Sequence, residues 1–96
     1  MGSKIVLNDV VERSATYPFQ QVVDEIIIVE PHAKLMHSLN EVGSAIWTRL
    51  AQPCNVQSLI NHVTEEYEVN QAEAQADIIQ FLEAMIKRNL IRIRGT

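Results

Sequence analysis

The stretch HSLNEVGSAIWTRL, residues 37–50, contains the point at which a predicted strand becomes a helix. Leu39 ends an alternating, strand-like run. Asn40 is a good helix N-cap because its side chain can accept hydrogen bonds from the free N–H groups of the first turn. The apolar residues that follow share one helical face: Val42, Ile46, Trp47 and Leu50. Strand and helix are therefore predicted to be directly fused, with Leu39 entering the core just before the chain turns.

Three extended segments precede this helix: YPFQQVV at 17–23, IIIV at 26–29 and KLMHSL at 34–39. Their β-branched and aromatic residues favour strands, and the short turns between them favour an antiparallel meander. The uninterrupted IIIV run predicts a central strand that is covered on both faces. The alternation in residues 34–39 predicts one face made of Leu35, His37 and Leu39.

Two more helices are predicted after residue 50. The second begins near Asn55, and its buried stripe consists of Val56, Leu59, Ile60, Val63 and Tyr67. The third begins at NQAE, residues 70–73, which resembles a capping box, and runs to about Asn89. The pattern predicts an α+β fold in which a three-stranded antiparallel β-meander is followed by three α-helices. The end, residues 91–96, forms a short strand or frays, and residues 1–12 stay an unassigned segment before a domain at 13–96.

The composition indicates one small globular domain and argues against several kinds of function. Of the 96 residues, 47% are hydrophobic and 21% are charged. The formal net charge of -4 argues against a general affinity for nucleic acid or for an anionic membrane. The lone Cys54 cannot form an internal disulfide, and the sequence has neither a signal-peptide pattern nor an apolar run of about 18 residues. We expect a cytoplasmic protein.

Residue patterns that support catalysis or metal binding are absent from the sequence. His32, His37 and His62 have no ligand-type spacing to one another or to Cys54. The three glycines are too far apart to build a phosphate-binding loop. Adjacent carboxylates, as at residues 65–66, are more often solvated than catalytic. We expect no catalytic residue, no metal site and no cofactor.

The apolar face of the third helix is wider than packing on one side of a core needs. One stripe consists of Ile79, Leu82, Ile86 and Leu90, and the stripe beside it of Ile78, Phe81 and Met85. In so small a domain the second stripe can belong to the core, or it can line an exposed groove, and the sequence leaves both open. If residues 34–39 form an edge strand, its unpaired backbone is a template for an added strand. Strand and helix together predict a cleft for an extended peptide.

Three segments carry a resemblance to a known family: LNEVGSAIWTRL at 39–50, NVQSLINHVTEEYEV at 55–69 and DIIQFLEAMIKRNLI at 77–91. In this order and spacing they resemble the PqqD-like family of peptide chaperones. The same module is called the RiPP recognition element, after the ribosomally synthesised and post-translationally modified peptides that it serves. The resemblance extends over residues 13–91 and implies a winged-helix-like fold.

The resemblance also implies a function. Family members are non-catalytic modules that bind the leader segment of a precursor peptide and present it to a modifying enzyme, often a radical S-adenosylmethionine (radical SAM) enzyme. The leader adds as a strand beside the third strand and packs against the third helix. Carried over by position, the peptide-binding residues are Lys34, Leu35, Met36, His37, Ser38, Ile78, Phe81, Leu82 and Met85. Related modules act in lasso-peptide maturation and in peptide cyclodehydration, so the family does not specify the product.

Two alternative functions remain at this point. A DNA-binding winged helix should carry several basic residues on its recognition helix, but the third helix offers only Lys87 and Arg88. A self-associating structural subunit could cover the apolar helix face with a second copy of itself. A homodimer formed through a strand edge is compatible with peptide binding as well.

Overall fold

The computed structural model describes residues 5–14, 17–23, 25–30 and 34–94. Within these ranges the elements are, in chain order, β1 (Val10–Arg13), β2 (Phe19–Val22), β3 (Glu25–Glu30), β4 (Leu35–Leu39), α1 (Glu41–Arg49), β5 (Cys54–Asn55), α2 (Val56–Tyr67), α3 (Gln71–Lys87) and β6 (Ile91–Ile93). The strands β2, β3 and β4 form an antiparallel meander, and the three helices follow it. This confirms the predicted α+β fold.

The strand β3 is the centre of the meander, as predicted, but only one of its faces is fully covered. Ile26 and Ile28 are buried on the side where α1 contacts β3 and β4. Ile27 and Val29, on the other face, are only half-buried. The prediction that the IIIV run is covered on both faces is therefore wrong. A run of β-branched residues predicts a strand, but it does not predict which faces of that strand other elements will cover.

A second small sheet joins the two ends of the chain in the order β5-β1-β6. Val11 in its central strand is fully buried and lies opposite both Cys54 and Ile93. Val11, in the segment that the sequence left unassigned, thus belongs to the same core as the helices. Of the two outcomes predicted for the end of the chain, a short strand is the one observed. Neither strand is longer than four residues, so neither has room for a recognisable period.

Each helix begins after an asparagine that caps it. The Asn40 side chain accepts a hydrogen bond from the Gly43 N–H at 2.8 Å. Asn55 and Asn70 cap α2 and α3 in the same way. A cap of this kind stabilises a helix by about 1 kcal/mol. The predicted helix starts are confirmed, and α3 ends at Lys87, two residues before the predicted end at Asn89, which has a left-handed backbone with φ of 62°.

Candidate functional site

Among the described residues, β4 is an edge strand of the meander, and the hydrogen bonds of β3 show which backbone groups of β4 have no partner strand. The Val29 N–H donates to the Pro18 carbonyl, on the β2 side, at 2.8 Å. The Ile26 N–H instead donates to the Ser44 hydroxyl at 2.8 Å, and that hydroxyl donates to the Leu39 carbonyl at 3.1 Å. Even-numbered residues of β3 therefore direct their N–H groups towards β4, and odd-numbered residues towards β2.

The strand register extends this alternation to β4. His37 lies opposite Ile28, so its backbone groups face β3. Met36 and Ser38 have the reverse orientation and direct their N–H and C=O groups to the open edge of the sheet. Two donors and two acceptors thus lie in a row where a further strand can pair. Within the predicted site segment 34–38, Met36 and Ser38 are thus the residues whose backbone groups are available to an added strand.

The side chains of β4 alternate between the two faces of the sheet. Leu39 is buried, and His37 lies half-buried on the same face, where its Nε2 atom contacts the Glu30 carboxylate. Met36 points to the opposite face and is 68% exposed. The predicted alternation of this strand is confirmed. Lys34 precedes the strand in a left-handed backbone conformation, with φ of 55°.

The inner face of α3 consists of Ala74, Ile78, Leu82 and Met85. Ile78 is 2% exposed and Met85 is 5% exposed, because α2 and β6 both pack against this helix. Of the two interpretations of the second stripe, the core interpretation is the correct one for Met85, whereas Ile78 is buried and also borders the cavity described next. Phe81 is half-buried at the border of the core, and it is the one member of that stripe with substantial exposure.

A cavity of about 250 Å³ lies between the start of α1 and the middle of α3. Its walls are mostly apolar and consist of Asn40, Val42, Gly43, Ile46, Asp77, Ile78 and Phe81. Since Asn40 directly follows β4, the cavity begins where the open edge of the sheet ends. We call this cavity, together with the open edge at residues 36–38, the groove.

The groove brings together only part of the predicted site. Ile78 and Phe81 line it, whereas Leu82 and Met85 lie behind it in the core. The α1 side of the groove is absent from the predicted set. Gly43 was a partial signal for it: a small residue in a helix allows close approach, and here the Phe81 ring is the group that approaches.

Other kinds of site are not found in the described part of the chain. Its His, Cys, Asp and Glu side chains form no group of three or more that could hold a metal ion. Across the same residues, no helix combines the length and the apolar character that crossing a membrane requires.

The family model for coenzyme PQQ synthesis protein D (PqqD) matches residues 25–91. The chain belongs to the PqqD family. The matched segment contains β3, β4 and all three helices, and with them both sides of the groove. The family relationship predicted from three sequence segments is confirmed.

Among solved structures, that of TbiB1 in complex with the TbiA(beta) leader peptide is similar to this PqqD-family chain, with a TM-score of 0.75. The match covers 88% of this chain and 96% of that chain at 22% sequence identity. A likeness at this identity shows that the two proteins share a fold. No curated protein matches the sequence.

Proposed function

We propose that this PqqD-family protein binds the leader segment of a ribosomally synthesised precursor peptide as an added strand on β4 and presents it to a peptide-modifying enzyme. The proposal rests on the open backbone edge at Met36 and Ser38 and on the apolar cavity lined by Phe81, which begins at Asn40, the residue directly after β4. Membership of the PqqD family supports it, and so does the shared fold with TbiB1, a protein whose complex contains a leader peptide. The role is non-catalytic.

The added strand would be held by two kinds of interaction. Met36 and Ser38 supply backbone donors and acceptors, each worth about 0.5–1.5 kcal/mol net, and these act on any peptide sequence. Selectivity would come from the cavity, where an apolar leader side chain can pack against Val42 and Phe81. Asp77, the one charged residue in the cavity wall, would favour a basic neighbour of that side chain.

This proposal assigns different tasks to the residues predicted from the sequence. The segment from Lys34 to Ser38 forms the pairing edge, and Ile78 and Phe81 form the floor and wall of the cavity. Leu82 and Met85 support the helix from within the core. The modifying enzyme, a radical SAM enzyme or another maturase, and a cytoplasmic location belong to the same proposal.

The two alternatives have weaker support. In the described part of α3 and its C-cap, Lys87 and Arg88 are the basic residues, so nothing there favours contact with DNA phosphates. A homodimer would compete with the leader if it used the open edge of β4. Sedimentation with and without leader separates competition from independent self-association.

The test uses a proline at the open edge. Ser38→Pro removes an N–H that faces outward, and so leaves the bonds between β3 and β4 in place. Ser38→Ala keeps that N–H and is the matched control. A synthetic leader from the cognate precursor peptide should bind Ser38→Ala normally and Ser38→Pro several-fold more weakly in calorimetry. Equal affinity for the two folded variants would rule out strand addition on β4.

A further inference from the structure

A second cavity, of about 360 Å³, lies towards the other end of α1 and shares no lining residue with the groove. The residues of its wall that matter most are Arg13, Tyr17, Phe19, Trp47, Ala51 and Pro53. The leader-binding proposal makes no use of this cavity. We call it the Arg13 cavity.

The Arg13 guanidinium is held in place by two rings and a carbonyl. Its central carbon lies 4.6 Å from the centroid of the Trp47 ring and 5.0 Å from that of Phe19. These two rings meet edge to face, with centroids 6.1 Å apart. The Nε and Nη2 atoms donate to the Trp47 carbonyl at 3.1 and 2.5 Å. The position of the charge is therefore fixed before any ligand arrives.

No carboxylate compensates this charge among the described residues. Glu12 also lines this cavity, but its carboxylate pairs with Arg92 at 2.6 Å and not with Arg13. Partial burial lowers the pKa of Arg13 through desolvation, so the charged form lacks part of its hydration. Two of the five guanidinium N–H groups bind the Trp47 carbonyl, which leaves three donors without a hydrogen-bond partner in the described part of the chain. A planar cation with free donors in a concave, aromatic-walled site favours a carboxylate.

We propose that the Arg13 cavity binds the carboxylate of an Asp or Glu side chain on the enzyme to which the leader is presented. The inference rests on the proposed function only for the identity of that partner. Tyr17, Phe19 and Pro53 would pack against the methylene groups of the acidic side chain and reduce the access of water to the ion pair. Because the cavity and the groove share no residue, enzyme and leader can be bound at the same time.

Two variants test the cavity without removing Arg13. Ala51 is exposed on the cavity rim, and Ala51→Glu places a competing carboxylate there. Gln52 is equally exposed but does not line the cavity, so Gln52→Glu is the matched control for the change in charge. The probe is N-acetylglutamate α-amide, and the neutral N-acetylglutamine amide is its control. The readout is the Nε–H resonance of Arg13.

We expect a saturable shift in the millimolar range with the acidic probe and none with the neutral one. The shift should survive in Gln52→Glu and disappear in Ala51→Glu. No shift, an equal shift with the neutral probe, or a shift that persists in Ala51→Glu would overturn the inference. Sub-millimolar binding of the acidic probe would indicate that the cavity binds a free carboxylate ligand. A shift of the Arg13 Nε–H resonance on dilution without probe would indicate that a second copy of the chain occupies the cavity. Either result would also overturn it.

A second arm uses the cognate peptide-modifying enzyme. Ala51→Glu should slow modification of the precursor about tenfold, while Gln52→Glu should not, and both should keep normal leader affinity. Equal modification rates would contradict docking at the Arg13 cavity. If the leader binds but the Arg13 cavity does not respond to the acidic probe, only this inference is overturned. A responsive cavity without leader binding at Met36 and Ser38 overturns the proposed function and with it the identity of the docking partner, while the carboxylate site itself stands.

Discussion

Phe81 on α3 packs against Gly43 on α1 so closely that a Cβ atom at Gly43 would lie 3.2 Å from the edge of the Phe81 ring. The same Cβ would lie 3.2 Å from the Asn40 side-chain oxygen and 3.5 Å from Leu39. This one contact therefore joins the end of β4, the cap of α1 and the wall of the groove. It makes the shape of the groove dependent on a residue with no side chain.

Gly43→Ala should reduce leader affinity more than it reduces stability. The added methyl displaces the Phe81 ring and narrows the cavity, while alanine gains about 1 kcal/mol of helix propensity over glycine. We expect the free energy of unfolding to change by less than about 1 kcal/mol and leader binding to weaken several-fold. Urea denaturation and calorimetry measure the two quantities. Unchanged leader affinity would show that the cavity does not receive a leader side chain.

Phe81→Ala should weaken leader binding more than it lowers stability, and Leu82→Ala should do the reverse, although the two residues are adjacent. Leu82 is fully buried, so its truncation leaves a core cavity and should cost about 2–5 kcal/mol. Because Phe81 is only half-buried, Phe81→Ala should lower the free energy of unfolding less than Leu82→Ala does, but it should abolish most leader binding. Denaturation curves and leader titrations of both variants provide the measurement. If folded Leu82→Ala loses the leader as completely as Phe81→Ala does, the groove is not where the leader packs.

Met85→Asp should unfold the domain. Met85 is 5% exposed and lies in the core cluster, where an unpaired charge is costly. A circular-dichroism melt should show the cooperative transition lost or strongly lowered. Met85→Leu, which conserves volume and polarity, is the control and should retain the melt. A stable, folded Met85→Asp variant would restore the exposed-stripe interpretation of α3.

Ser44→Ala should loosen β4 where it meets α1. The buried Ser44 hydroxyl accepts from the Ile26 N–H and donates to the Leu39 carbonyl, so alanine leaves both groups without their partner. The expected cost is about 1–3 kcal/mol. Hydrogen exchange of the Ile26 amide should accelerate accordingly. Exposed Ser58→Ala serves as the control, and an unchanged Ile26 exchange rate would contradict the bridging role of the hydroxyl.

Trp47→Phe should be far less destabilising than Trp47→Ala. Trp47 is fully buried, and its truncation to alanine should cost about 3–5 kcal/mol. Its indole N–H has no hydrogen-bond partner among the described residues, so phenylalanine removes an unsatisfied donor while keeping an aromatic ring against Arg13. Urea denaturation compares the two. If Trp47→Phe lowered the free energy of unfolding as much as Trp47→Ala does, the indole N–H would have a hydrogen-bond partner in solution.

The features predicted correctly from the sequence depend on interactions between near neighbours. Asn40, Asn55 and Asn70 cap helices because each side chain reaches an N–H two or three residues ahead. The alternation of β4 is likewise a local property of an extended chain. The three family segments lie mostly in the helices and their caps, so the resemblance could be seen in the sequence before any contact was known.

The errors arose where burial depends on residues that are distant in sequence. Periodicity correctly placed Ile78 and Met85 on one side of a helix, but it could not show that α2 and β6 would cover that side. The Arg13 cavity had no sequence signal, because Arg13 and Trp47 are separated by 34 positions.

By itself, the sequence determined the order of the three meander strands and the three helices, the residues at which the helices begin, and the family. Caps, periods and motifs are encoded over a few residues, so they can be predicted without a fold. Only the tertiary structure decided that Met36 and Ser38 present the open edge, that Phe81 rather than Met85 borders the groove, and that β1 joins β6. These depend on register and packing between distant segments, which are selected by the free energy of the whole core.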